Sequence, residues 1–270
     1  MLSPIDTLQK YSAAVAFVDV CNAAGDRGIG TAFHVGQGVF VTARHVLENC
    51  VVERIATVRD HQVPVEGERA KNALSFVARR DGTLQAMHNI SRRDIIISEG
   101  PFFHDNPQVD VAVFRAHDID PELPWIPLGG HLDDWIGDND FVLWEATVMG
   151  FPPIPMTSEP LLVATRAEIS AVIDVRHAPH VHFVLSAMAR GGFSGGPALI
   201  DGCLLGVVTN SLLEMGQPTE IGYLTVVSVE PIFDCLHEHK WLPKAQIESW
   251  GATVWDDGLL PPPSTSVPQD

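Results

Sequence analysis

Gly191-Gly192-Phe193-Ser194-Gly195-Gly196-Pro197 is the stretch on which the fold turns. Four glycines in seven positions give up side-chain burial and cost conformational entropy, so no packed core requires them. They let the backbone approach a ligand closely, with consecutive N–H groups aimed at one point. A serine held among them offers a hydroxyl nucleophile beside backbone donors for a developing oxyanion, which is what acyl transfer needs. Such a serine also needs a base and an acid from elsewhere in the chain.

Both are found upstream. Gly30-Thr31-Ala32-Phe33-His34-Val35 leads into Gly38-Val39-Phe40-Val41-Thr42-Ala43-Arg44-His45-Val46, an alternation that delivers His45 just after an apolar strand. Val109-Asp110-Val111-Ala112-Val113-Phe114 places an acid directly before another strand. With these three segments together, the chain resembles the chymotrypsin-like serine peptidases. It is most similar to the short bacterial trypsin-like peptidase domains, including the protease part of the HtrA group. The resemblance runs from about Ala14 to about Phe233, and the order His, Asp, Ser is the family's.

The resemblance implies a serine endopeptidase that hydrolyses peptide bonds through an acyl-enzyme. Ser194 would be the nucleophile and His45 the general base. Asp110 would fix the histidine tautomer, and the N–H groups of Gly192 and Ser194 would form the oxyanion hole. It also implies that Met188 lies at the base of the primary pocket and that the Thr209 hydroxyl supports the aspartate. Asn210 and Ser211 would form a pocket wall. A neutral Met188 argues against cleavage after Lys or Arg, and a narrowed pocket favours small or medium apolar residues. Phe193 stands where digestive members carry an aspartate that pairs with a new N-terminus, so no zymogen cleavage is expected. Arg44 replaces a small residue beside the histidine and must point away from the triad or touch substrate.

Asp94, in Arg92-Arg93-Asp94-Ile95-Ile96-Ile97, competes with Asp110 for the role of acid. It too precedes an apolar run, and its distance from His45 is nearer the family's common spacing. Asp110 is preferred because its flanking pattern fits better and because Pro124-Trp125-Ile126-Pro127-Leu128-Gly129, which resembles the inter-barrel entry, follows it.

Runs rich in Val, Ile, Phe and Thr recur along the chain, and Asp81-Gly82 signals a hairpin turn. The expected fold is all-β: two six-stranded antiparallel barrels with a short C-terminal helix over Glu230–His239. Residues 1–120 would carry His45 and Asp110, and 121–140 the proline-rich connector. Residues 141–242 would carry Ser194, and 243–270 would be a proline-rich acidic tail.

Composition bounds the remaining classes. The chain has 270 residues and a formal net charge of −17, which argues against nucleic acid or an anionic membrane as partner. The expected partner is a protein or peptide substrate, with a regulatory protein as a further candidate. Cys21, Cys50, Cys203 and Cys235 do not fall at the family's usual disulfide positions. With no leader or apolar span in view, they suggest a cytoplasmic protein. His177, His180, His182, His237 and His239 match no compact zinc spacing, so neither metal nor cofactor is expected. Two other readings are open. Gly192-Phe193-Ser194-Gly195-Gly196 fits the nucleophile elbow of α/β-hydrolases, though Pro197 disfavours the helix that fold needs. A non-catalytic or partner-activated binding module on a protease fold is the other.

Overall fold

The structure, a computed structural model, describes residues 2–58, 61–79, 81–90, 92–130, 132–174, 176–188, 190–209 and 223–250. The first half forms β1 (Val15–Asn22), β2 (Arg27–Gly36), β3 (Val39–Thr42), β4 (Cys50–Thr57), β5 (His61–Pro64), β6 (Ser75–Ala78), β7 (Leu84–Ile90), β8 (Ile97–Phe103) and β9 (Ala112–Ala116). Six of these make one antiparallel sheet in the order β4-β1-β2-β3-β9-β8, while β5, β7 and β6 make a separate three-stranded sheet. The Asp81-Gly82 turn joins β6 to β7 as expected, with Asp81 Oδ1 accepting from the Thr83 amide at 2.9 Å. Central position explains composition: β3, Val-Phe-Val-Thr, is buried on both faces between β2 and β9. Phe40 and Phe114 stack across that pair, 5.3 Å between centroids.

The first barrel differs from expectation in how it closes. No ladder joins β4 to β8. The seam is closed instead by a short extended run before β8: Ile95 N–H donates to Ile55 O (2.8 Å), Thr57 N–H donates to Arg93 O (3.3 Å), and Ala56 bridges Asp94. The His117 amide takes the Ile96 carbonyl at 3.2 Å, which ends that pairing after a few residues.

The second half forms β10 (Glu145–Gly150), β11 (Val163–Ile173), β12 (His182–Met188), β13 (Pro197–Ile200), β14 (Cys203–Val208) and β15 (Tyr223–Ser228), which close into a barrel in the order β10-β11-β12-β15-β14-β13. Between the halves the chain is packed rather than loose. Ile126 and Leu128 are buried, and their neighbours bond both ways: Ile126 N–H to His34 O at 2.9 Å, Leu204 N–H to Pro127 O at 2.8 Å. Phe17 of the first sheet meets Phe151 beside the second barrel edge-on at 5.7 Å.

Among the described residues, five α-helices complete the fold: α1 (Pro4–Tyr11), α2 (Arg44–Leu47), α3 (Glu68–Lys71), α4 (Glu230–Glu238) and α5 (Lys244–Trp250). The sequence reading anticipated α4 and missed the others. α1 starts at Ser3, whose Oγ accepts from the Asp6 amide at 3.3 Å, and it buries Tyr11. α5 corrects the boundary of the tail, which was expected from residue 243. Gln246 is wholly buried: its amide donates to Val35 O (2.7 Å) and Ile126 O (2.8 Å), and its Oε1 accepts from Leu128 N–H (2.9 Å). One carboxamide thus satisfies three backbone groups, which is why a polar residue holds this helix down. The rest of the expected tail, from 251, lies outside the described residues.

Candidate active site

The register of the first sheet brings His45 and Asp110 together. β3 pairs with β9 so that Thr42 faces Ala112, and residues just past β3 lie beside residues just before β9. Ala43 then opens the single turn of α2, which buries Val46 and Leu47 and leaves His45 half-exposed. Val109 and Val111 are buried, so alternation turns the intervening Asp110 to the opposite side. Its carboxylate grips His45 twice. Oδ2 accepts from the ring at Nδ1 (2.7 Å), and Oδ1 accepts from the His45 backbone N–H (2.9 Å). Asp94 is engaged elsewhere, with the Arg54 guanidinium at 2.8 Å on the surface.

Ser194, from the second barrel, is tied to the first sheet at Thr31 through the backbone. Its carbonyl accepts the Thr31 amide at 2.8 Å. Gly195 follows at φ +81°, in the left-handed region, and a Cβ there would lie 2.1 Å from Thr31 O and 2.9 Å from Ala43 N. Only glycine lets the turn after Ser194 sit this close to the segment that enters His45. Gly192, at φ +91°, is equally constrained, since a Cβ would fall 2.3 Å from Phe151 O. Its carbonyl is tied down by the Thr31 hydroxyl (2.6 Å) and the Phe151 amide (3.1 Å). Among the described residues the amides of Gly192 and Ser194 donate to no acceptor. Phe193, between them, is buried in the core of the second barrel.

Thr31 is the residue that sequence reasoning passed over. Besides holding Gly192 O and Ser194 O, its Oγ accepts from the Phe151 amide at 3.1 Å, and its own carbonyl accepts from the Thr42 hydroxyl at 2.6 Å. A hydroxyl at a fully buried strand position was the available signal, because such groups must find partners.

The other candidate residues are more scattered. Arg44 turns away from His45 and Asp110: it donates to His104 O, pairs with Glu48 at 3.2 Å and covers the Phe103 ring. The Thr209 hydroxyl meets that of Thr225 at 3.2 Å, and among the described residues no hydrogen bond joins it to Asp110. Met188 ends β12 at 59% exposure, with the Arg190 guanidinium against its sulfur, Nε and Nη2 each at 3.2 Å. Asn210 and Ser211 lie outside the described residues. All four cysteines are free thiols, and burial pushes the Cys235 thiol up to about 12. Among the described residues, no helix is long and apolar enough to cross a membrane.

Solved structures share this architecture at low identity. The HtrA-type protease AlgW, determined with a tripeptide, is 19% identical with a TM-score of 0.54, over 88% of this chain and 65% of that one. This chain therefore spans just under two thirds of AlgW. The serine endoprotease from Yersinia pestis is 20% identical with a TM-score of 0.51, over 90% and 67%. The Rv3671c protease from M. tuberculosis, in its active form, is 16% identical with a TM-score of 0.51, over 84% and 81%. Likeness at this level carries the fold, chymotrypsin-like and mostly β. No curated protein matches the chain. The profile of the trypsin-like peptidase domain does match, over residues 30–207, a span that holds the histidine, the aspartate and the glycine-flanked serine, and the chain belongs to that family.

Proposed function

We propose that the protein is a serine endopeptidase that works through Ser194, His45 and Asp110. The double grip of Asp110 on His45 carries this reading. With the proton fixed on Nδ1, the Nε2 lone pair is the one left to accept the Ser194 hydroxyl proton as Oγ attacks a peptide carbonyl. The unengaged amides of Gly192 and Ser194 would receive the oxyanion, a contribution of roughly 3 kcal/mol per donor in comparable sites. His45 then passes the proton to the leaving amine, and water, activated the same way, releases the acyl group.

The chain as it stands is competent without cleavage. The buried Phe193 ring and the Thr31 tie on Gly192 O hold the nucleophile loop in place of an ion pair to a new N-terminus. In the primary pocket an incoming Lys or Arg meets the Arg190 guanidinium beside Met188, and apolar side chains such as Ala, Val or Leu are accepted instead. The free thiols support a reducing, cytoplasmic setting.

Labelling with a fluorophosphonate probe tests the chemistry. Ser194 is labelled in the full chain and not in His45→Ala. An unlabelled wild-type chain would leave a binding module, and labelling only after a partner is added would indicate control by that partner. Cleavage of matched peptides that differ only before the scissile bond tests the pocket, and a preference for Arg or Lys overturns its assignment.

A further inference from the structure

Beside the triad, segments far apart in sequence bring a second group of polar side chains together. His104 follows β8, Asp133 lies in the connector, His180 precedes β12, and Glu230 and Asp234 project from α4. One ligand atom from each of His104, His180 and Asp234 lies within 4.8 Å of the others, and the same holds for Asp133, His180 and Glu230. Asp133 is 4% exposed. Its Oδ2 accepts from His180 Nδ1 (2.9 Å) and from the Val181 amide (3.1 Å), while Oδ1 is buried with no hydrogen-bond partner among the described residues. Glu230 Oε2 accepts the Asp133 amide at 2.5 Å. Among the described residues no Lys or Arg pairs with Asp133, Glu230 or Asp234; Arg44, next to the group, is spent on His104 O and Glu48.

We propose that His104, His180 and Asp234 bind a divalent transition-metal ion of the zinc class, with Asp133 as the buried carboxylate that orients His180. Two imidazoles and one carboxylate form a donor set for zinc and its neighbours, whereas calcium and magnesium call for oxygen alone. A ligating histidine normally donates its second ring N–H to a carboxylate, and Asp133 stands in that place, leaving Nε2 of His180 to ligate. The charge also fits. Three carboxylates share a part-buried region in which, among the described residues, the only basic side chains paired with them are the imidazoles of His104 and His180. A bound dication would relieve that excess.

Loading has a local cost at His104. Its Nδ1 accepts the Asn106 amide at 3.1 Å, which leaves the proton on Nε2, 3.9 Å from Asp234 Oδ2. To ligate, Nε2 must lose that proton, and the turn at 104–106 must adjust if Nδ1 takes it up. The expectation of no metal was drawn from local histidine spacing, and it could not see Asp133, 47 residues from His180.

Cobalt(II) titration of the full chain, followed by visible d–d absorption, tests the site without reference to peptidase activity, so failure of either reading leaves the other standing. The expected result is one equivalent of Co2+ in a four-coordinate spectrum, displaced by Zn2+. Affinity should fall by more than about 100-fold in His104→Gln and Asp234→Asn, since losing a ligand costs more than the roughly 10- to 100-fold of losing a carboxylate that orients one, and stay unchanged in His45→Ala. Circular dichroism checks that the variants are folded; Asp234→Asn, on the surface of α4, serves if His104→Gln is not. No spectrum in the wild-type chain, undiminished binding in the folded variants, or loss confined to His45→Ala would overturn the proposal.

Discussion

Acidification probes the interior of the first barrel through His34. The side chain is 2% exposed, and both ring nitrogens are committed in the neutral form. Nδ1–H donates to Pro124 O at 2.9 Å, and Nε2 accepts the Gly38 amide at 3.2 Å. Burial lowers its pKa from 6.5 to about 4, and a proton on Nε2 would also oppose the Gly38 N–H. Because the folded pKa lies below the unfolded one, protons bind the unfolded chain preferentially. This contribution to stability is whole above about pH 6.5 and is lost as pH falls towards 4. From those two values the loss is ~2 kcal/mol at about pH 5 and ~3 kcal/mol at about pH 4. Urea melts followed by tryptophan fluorescence, run on wild type and His34→Gln across this range, isolate it, because other titrating groups cancel in the difference. The variant is the less stable near pH 7, and the gap narrows by ~2 kcal/mol by about pH 5. Two curves that run parallel would refute the reasoning.

Three substitutions address the candidate site. Asp110→Asn leaves the fold intact and lowers kcat by roughly 10³–10⁴-fold, measured on a cleaved peptide, because the amide no longer fixes the Nδ1–H tautomer of His45. Thr31→Val removes the hydroxyl that braces Gly192 O and the Phe151 amide and leaves only their 3.1 Å bond to each other, so kcat falls about 10-fold or more while KM changes little; equal effects on both would mean that the hydroxyl serves substrate binding. Gly195→Ala forces a methyl against Thr31 O at a positive φ and costs roughly 3 kcal/mol in a denaturant melt; a loss under about 1 kcal/mol would count against the close approach.

The residues of the candidate triad stand out in the sequence because chemistry forces unusual local patterns on them. A serine among four glycines, a histidine at the end of an apolar strand and an aspartate at the start of another need no knowledge of distant contacts. The strands of the second barrel read just as directly from their β-branched runs. The seam of the first barrel does not, because three residues before β8 pair with β4 through geometry no local pattern encodes. Gln246 looks like a solvated residue near the proline-rich end until Val35, Ile126 and Leu128 are placed around it. Thr31 is hidden for the same reason, since its partners belong to the other barrel.

That placement of Thr31 has a consequence for the order of assembly. The loop bearing Ser194 is held within its own barrel by Phe193 and by bonds to Val208, and from outside it by the Thr31 amide and hydroxyl, which reach it only after the two halves have docked. Each half can gather its own apolar interior beforehand, as units of this size do. In such an undocked chain Ser194 lacks the Thr31 ties and stands apart from His45. On the proposed mechanism, a newly made or partly unfolded molecule is inert toward the extended, cleavable copies of itself that surround it, and hydrolytic power arises only in molecules that have finished folding.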